Sequence, residues 1–433
     1  MKKRSRWRAV SRLVLTALLL VSPARLRAQQ PMLTLRELFD SVRISLPSIL
    51  AAESRVRAAA GSRTTARLPG NPVLSYQVDQ TPFPGRPALP GGIPRETMTT
   101  ATLPLEFLYQ RGPKVARANA DVRAAEADAG AARQRAALEA ASAFYQTALA
   151  QTRVETAREL ASWLDTLVAY NRARVEEGAA AEADLIRATL EHDRMLAELA
   201  MREADLARVR ASLSAFVSGD ARTLARPVAF PSQPLAIPAS LTASPRAEVR
   251  AARERVASAS AVVASERTML VRQLGATIGT MQTMGTTSMI AGISLPLPVF
   301  DLNRGEVRRA AAERDAAQFE LAGQERAARA ELQGASDAAV ALTTRMRQLA
   351  ITDSTGFLAR ADESRRIALG AYREGAVPLF QVIDAARAWA DARTAYYETL
   401  FAQHESVLML VAANGVDLFS TIADMPAPGG PGR

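Results

Sequence analysis

The sequence predicts a mainly α-helical protein with a small β part, in which long helical coiled-coil hairpins are joined to four amphipathic β-strands. Three observations predict this fold class: long helical stretches without proline, two pairs of segments with alternating polarity, and repetition of the whole plan along the chain. The composition agrees, because 48% of the 433 residues are apolar but only 5% are aromatic. Such a composition suits closely packed helices better than a thick globular core.

The longest helical stretches run from Pro113 to about Glu177 and from Gly305 to about Tyr372. A helix of about 65 residues would reach roughly 100 Å. A shorter helix is predicted to begin after Thr34, where Glu37 completes a capping box, and to run to about Leu68. The last helix carries an apolar stripe at heptad-like spacing, formed by Leu379, Ile383, Ala386, Ala390, Tyr397, Phe401 and Leu408.

The strands are predicted at 73–80, 97–107, 276–284 and 288–296, because polar and apolar residues alternate there. In the first strand Leu74, Tyr76 and Val78 share one face, and polar residues occupy the other. Strands of this length with one apolar face match a tilted crossing of a membrane whose other face meets water.

The two halves of the chain repeat the same markers in the same order. Arg111-Gly112 is matched by Arg304-Gly305 after 193 residues, and Glu177-Gly178 by Glu374-Gly375 after 197 residues. We therefore predict a tandem repeat, with one unit at 29–238, a second at 239–420 and a disordered tail at 421–433. Each unit holds a helix, a strand pair and a long helical hairpin, at 113–217 and 305–413.

The first 28 residues resemble a secretory signal peptide, with eight basic residues, no acidic residue and a short apolar run. Cleavage after Ala28 and cleavage after Ala24 both remain open. Without this segment 46 basic residues face 44 acidic ones, so the net charge of +10 gives no indication of nucleic-acid binding. No later stretch of about 18 apolar residues predicts a membrane-spanning helix.

Closure of the strands predicts the oligomeric state. Four strands are too few for a barrel in a membrane, and an open edge in lipid would leave backbone groups unpaired. Two chains would supply eight strands and three would supply twelve, of which twelve leave room for a lumen. The sequence therefore favours a homotrimer. Two alternatives remain: a periplasmic coiled-coil adaptor, or a structural coiled-coil protein without a membrane barrel.

Nothing in the sequence indicates an enzyme or a cofactor. His192 and His404 are the two histidines and lie far apart, and no phosphate-binding loop or cluster of metal ligands is recognisable. Met281, Met284 and Met289 lie in or beside predicted strands, where packing or lipid contacts are more common than copper binding.

The order of these motifs resembles the outer-membrane efflux protein (TolC) family over Leu33–Phe419. The resemblance rests on Leu33-Thr34-Leu35-Arg36-Glu37-Leu38, on the run at 68–75, on the two strand-to-helix joints and on Tyr372-Arg373-Glu374-Gly375 with Val382-Ile383-Asp384-Ala385. It implies an outer-membrane location in a Gram-negative-type cell, a trimer with a twelve-stranded barrel and a periplasmic helical tunnel. It also implies two partners, a periplasmic adaptor and an inner-membrane pump, the RND type among the candidates. The exported substrate is left open.

The resemblance also implies an aperture at the periplasmic tip, where acidic residues of three protomers form rings. Tyr372 and Asp384 match the family's tip motif, whereas Gln381 stands where the family has its first aspartate. Asp184 is the counterpart of Gln381 in the first repeat. Converging carboxylates in a narrow pore bind cations. The alternative is that Asp384 is an ordinary solvated helix residue.

Overall fold

The structure is a computed structural model that describes residues 32–79, 95–217, 226–229, 233–238, 245–269, 274–349 and 356–423. Its helices are α1 (Leu35–Ser45), α2 (Pro47–Arg67), α3 (Phe107–Glu176), α4 (Glu182–Ser214), α5 (Ala247–Thr268), α6 (Arg304–Leu349), α7 (Phe357–Arg373), α8 (Leu379–Ala413) and α9 (Leu418–Ala423). Its strands are β1 (Val73–Asp79), β2 (Glu96–Pro104), β3 (Gly275–Thr283) and β4 (Thr286–Ser294). The predicted signal segment and residues 424–433 of the predicted tail lie outside this range. The tail was predicted to start too early, because α9 extends to Ala423.

The first helix begins as predicted but ends sooner. The Thr34 hydroxyl accepts the Glu37 amide at 3.2 Å and the Glu37 carboxylate accepts the Thr34 amide at 3.3 Å, which completes the capping box. The prediction of one continuous helix to Leu68 was wrong, because Leu46 is extended, with ψ of 121°, and separates α1 from α2. Pro47 causes the break, since proline disfavours helical geometry in the residue before it.

The second long helix is also divided. The prediction of one helix from Gly305 to about Tyr372 was wrong, because α6 ends at Leu349 and α7 begins only after Gly356, which is extended with ψ of 159°. The sequence Thr352-Asp353-Ser354-Thr355-Gly356 is poor in helix-forming residues. By contrast α3 runs for 70 residues, or roughly 105 Å.

The four strands form one antiparallel sheet in the order β1-β2-β3-β4, so β1 and β4 are its edges. A two-residue turn at Met284 and Gly285, with φ of 52° and 78°, joins β3 to β4. For this reason β4 starts at Thr286, earlier than the sequence predicted. The predicted strand 97–107 was too long, because α3 already begins at Phe107.

The helices pack in a regular sequence of neighbours. Near the sheet, α3 packs between α2 and α5, and α5 packs on α6. Farther from the sheet, α3 packs between α4 and α8, and α8 packs on α7. Close approach is possible because the buried face of α3 is rich in alanine, for example Ala137, Ala140 and Ala148. An apolar core around Leu38, Phe144 and Leu408 joins α1, α3 and α8 midway along the bundle.

Candidate functional site

Two helical hairpin turns lie together at the end of the bundle that is remote from the sheet. The turn after α3 contains Gly178, with φ of 72°, and the turn after α7 contains Gly375, with φ of 77°. Both turns close with the same two backbone bonds. The glycine amide donates to the carbonyl three residues earlier, at 3.0 Å in each turn, and the next amide donates to the carbonyl five residues earlier, at 2.7 and 2.8 Å. This is the Schellman arrangement, which needs a left-handed residue and therefore favours glycine. The repeated Glu-Gly marker of the sequence is the end of a helix in both halves.

A shared apolar cluster holds the two turns side by side. Leu164 and Leu167 of α3, Ala188 of α4, and Leu379 and Val382 of α8 are buried in it. Because α3 starts directly after β2 and runs for 70 residues, the turns lie about 100 Å from the sheet. The fold therefore places its two distinctive features at opposite ends of a long helical body.

Tyr372 is the buried centre of the tip. Its hydroxyl donates to Oδ1 of Asn171 at 2.5 Å, and the Asn171 amide donates to the Leu167 carbonyl at 2.9 Å. The Arg174 guanidinium lies 5.6 Å from the centroid of the Tyr372 ring. Burial raises the pKa of Tyr372, and the carboxylate of Asp184 raises it as well, against the opposing charge of Arg174.

The four residues predicted for the aperture divide into two pairs. Asp184, in the first turn of α4, is half-buried and close enough to Tyr372 to affect its pKa. Gln381 and Asp384 are exposed near the start of α8, three residues apart and therefore on one face. Within the described part of the chain no hydrogen bond or ion pair engages Asp384. The structure thus brings Asp184 to Tyr372 but leaves Gln381 and Asp384 open to solvent in the single chain.

Comparison with solved structures identifies the fold. The outer membrane protein VceC of Vibrio cholerae superposes with a TM-score of 0.73 at 21% identity, over 88% of this chain and 96% of that one. The CmeC outer membrane channel of Campylobacter jejuni gives 0.75 at 15% identity, over 90% and 88% of the two chains. The MtrE outer membrane channel of Neisseria gonorrhoeae, in its open state, gives 0.66 at 16% identity, over 88% and 89%. The chain has the TolC-family fold. No protein-family model and no curated protein sequence matches it.

On this TolC-family fold the tip contains a salt bridge that the sequence analysis missed. Arg387 of α8 pairs with Glu191 of α4 through two guanidinium nitrogens, Nε and Nη2, and Nε donates to Oε1 at 2.8 Å. The Glu191 side chain is 16% exposed and that of Arg387 is 43% exposed, so the carboxylate but not the guanidinium is largely shielded from water. Arginine and glutamate recur throughout the helices, so their sequence spacing gave no sign that these two would meet across 196 residues.

A second missed contact surrounds Trp389 of α8. The Arg365 guanidinium lies 3.9 Å from its ring centroid and that of Arg393 lies 5.5 Å away, while Nε1 donates to Asp362 at 2.6 Å. Glu159 of α3 accepts from Arg393 at 2.6 Å and so ties this stack to the first hairpin. A tryptophan in an alanine-rich helix was the available signal. The contact holds α3, α7 and α8 of the TolC-family fold together behind the tip.

Neither histidine lies in a catalytic arrangement. His192 is half-buried in α4, and His404 is buried, with Nε2 2.8 Å from the Gln233 carbonyl and Nδ1 3.3 Å from the Tyr145 hydroxyl. Within the ranges that the structure covers, no group of three or more His, Cys, Asp or Glu residues could hold a metal ion. Over those same ranges, the helices are too polar or too short to cross a membrane.

Proposed function

We propose that this chain is the outer-membrane exit duct of a tripartite efflux pump or type I export system, and that it conducts substrate passively from the periplasm to the exterior. The likeness to outer-membrane channels over most of the chain supports the proposal. Its channel role needs no catalytic residue, since a duct supplies a path and the driving force comes from elsewhere.

The sheet carries the proposal. One face holds Leu74, Tyr76, Ile278, Met289 and Ile293, whose exposed fractions range from 60% to 77%. The register places them on one face, because Leu74 pairs with Ala101, Ala101 with Ile278 and Ile278 with Ala291, which shares its face of β4 with Met289 and Ile293. A contiguous apolar face of this kind indicates contact with lipid or protein.

The opposite face of the sheet is rich in threonine and serine. Thr102 and Thr277 share a hydrogen bond across β2 and β3 at 2.9 Å, and Ser75 and Ser288 lie on this same face. A polar face suits a water-filled lumen. Apolar residues outside and hydroxyl groups inside are the arrangement that a transmembrane barrel requires.

The edges of the sheet support closure with further copies of the chain. Among the described strands, β1 and β4 each pair on one side only. In a membrane the free backbone groups must find partners, which closure of three chains into a twelve-stranded barrel would supply. The helical hairpins of the trimer would then extend roughly 100 Å into the periplasm. Their tips would meet a periplasmic adaptor and an inner-membrane pump, for which the RND type is the first to test.

The experiment is fractionation followed by reconstitution. We expect the full chain in the outer-membrane fraction, migrating as a trimer that dissociates on heating, and forming conducting channels in planar bilayers. Recovery only as a soluble periplasmic species without conductance would reject the duct and favour a coiled-coil adaptor or structural protein.

At the tip, we propose that Asp384 of three protomers forms a cation-binding ring, with Gln381 in the adjoining layer and Asp184 and Tyr372 supporting the turn. The exposed, unengaged carboxylate supports this, because a ring of acids in a narrow pore attracts cations. The test is Asp384→Ala, with divalent-cation block of single channels as the measurement. Asp391→Ala is the matched control, since Asp391 lies seven residues further along the same helix face. Unchanged block in Asp384→Ala would reject the ring.

A further inference from the structure

We propose that a collar of apolar and basic residues, where the sheet meets the helices, binds the anionic phospholipids of the adjoining leaflet. The inference rests on the proposed function for the position of the membrane, and it adds a lipid chemistry and the residues that recognise it. The collar lies at one end of the sheet, since Val73 and Thr102 pair there and Gly275 pairs with Ser294.

The apolar part of the collar is exposed to an unusual degree. Phe300 is 100% exposed, and large side chains around it are exposed by more than half. They come from three connections between helix and sheet and are Leu68, Leu108, Leu295, Leu297 and Val299. Several apolar side chains at one level indicate a surface that is covered in the working protein.

The segment that carries Phe300 is fixed to the fold. Asn303 is buried, its amide nitrogen donates to the Glu266 carbonyl at 2.7 Å, and its backbone amide donates to Asp301 at 2.9 Å. These bonds tie the start of α6 to the end of α5. Phe300 is therefore held outward by a buried polar anchor, as expected for a side chain that serves an external partner.

The basic part of the collar lies immediately on the helix side. Arg67, Arg111, Arg304 and Arg308 are exposed, Lys114 is half-exposed, and within the described residues none of the five has an ion-pair partner. The acidic groups nearby are engaged within the chain: Glu306 pairs with Arg309, and Glu266 and Asp301 accept from Asn303. Among the described residues of the collar, Glu106 is the carboxylate that remains.

The placement of these cations identifies an anionic partner. Arg111 and Lys114 lie in the first turns of α3, and Arg304 is the first residue of α6. The amino-terminal end of a helix disfavours positive side chains, because its own dipole is positive there. A layer of phosphate headgroups would offset this repulsion while its acyl chains cover the apolar ring, and basic residues beside a membrane favour anionic lipids.

The test places a fluorescent reporter at the centre of the collar. The full chain with Phe300→Trp is reconstituted into nanodiscs that contain brominated phosphatidylglycerol or brominated phosphatidylcholine, and the emission of the parent chain is subtracted. Phe319→Trp is the matched control, because Phe319 is also exposed, at 79%, but lies about 22 Å along α6 from its first residue, Arg304. We expect quenching of the introduced tryptophan in Phe300→Trp alone, about twofold stronger with phosphatidylglycerol.

The charge contribution is tested by adding Arg111→Gln, Arg304→Gln and Arg308→Gln to Phe300→Trp. We expect equal quenching by the two lipids, with trimer migration retained as the measure of folding. A conducting Phe300→Trp chain whose reporter is not quenched, or whose quenching ignores headgroup charge, would overturn the collar and leave the duct intact. Quenching by phosphatidylglycerol without conductance would support the collar and reject the duct. If neither quenching nor conductance is observed, the collar and the duct are both overturned.

Discussion

The hydroxyl of Tyr372 donates to Oδ1 of Asn171 at 2.5 Å, and this bond joins the two helical hairpins at their shared tip. Asn171 is fully buried in α3, and Tyr372 is nearly so at the end of α7. Because the two residues belong to different repeats, the bond links halves of the chain that the sequence separates by 201 residues.

Replacement of the hydroxyl tests this link. We expect Tyr372→Phe to lower stability by about 1–3 kcal/mol, because it leaves the buried Asn171 oxygen without its donor. Thermal unfolding and hydrogen exchange of residues 367–384 are the measurements. Tyr170→Phe is the control, since that ring packs edge-on against Tyr372 at 6.1 Å and loses only its own hydroxyl. Equal behaviour of the two variants would show that the bond contributes nothing.

Acid is expected to weaken the contact between α8 and residues 233–238. Burial lowers the pKa of His404 below its ordinary value of 6.5. The hydrogen bond to the Gln233 carbonyl favours the charged form and raises the pKa, but the effect of burial is larger. The unfolded chain therefore takes up a proton near pH 6.5 that the folded chain does not. The contribution of neutral His404 to the free energy of unfolding is complete above that pH and decreases as the pH falls below it.

The measurement is the midpoint of thermal unfolding at about pH 7.5 and about pH 5.5. We expect the midpoint of the parent chain to fall on acidification, and that of His404→Asn to fall by less. His192→Asn removes the other histidine and serves as the control. A parent chain whose midpoint does not respond to acid would contradict the assignment to His404.

Gly279 is expected to tolerate no side chain. A Cβ atom there would lie 2.2 Å from the Thr99 carbonyl oxygen and 2.7 Å from the Thr100 Cα, both of them backbone atoms of the adjacent strand. Gly279→Ala should therefore separate β2 from β3 and reduce the yield of heat-dissociable trimer. Gly292→Ala is the matched control in β4, because its Cβ would meet no atom within 4 Å. Equal trimer yields would contradict the close approach.

The two faces of β3 should respond differently to a charge. Ile278 is 60% exposed on the apolar face, and its neighbour Thr277 lies on the face of hydroxyl groups. We expect Ile278→Arg to prevent stable membrane integration, because an arginine facing lipid costs about 2–4 kcal/mol near the middle of a bilayer. Thr277→Arg should remain integrated and change conductance or ion selectivity. Integration of both variants would contradict the orientation of the sheet.

Local signals in the sequence were sufficient where short-range physics decides. The capping box of Thr34 and Glu37 and the alternation around Leu74 each depend on neighbours within a few residues, and each predicted its element. The glycines at 178 and 375 marked the repeat in the sequence, and the structure shows that each ends a helix. The break at Pro47 was missed although the proline was visible. The break before Phe357 was missed because that stretch contains no proline, and its weak helix formers at 352–356 were not weighed.

The sequence by itself determined a helical chain with four amphipathic strands, because periodicity and turn chemistry are properties of contiguous residues. Only the tertiary structure decided which distant residues meet. The packing of α3, α4, α7 and α8 decides that Arg387 pairs with Glu191 and that Arg365 and Arg393 contact the Trp389 ring. The joint between sheet and helix decides the exposure of Phe300. Charged residues are too frequent in these helices for spacing to select one partner, so packing makes that choice.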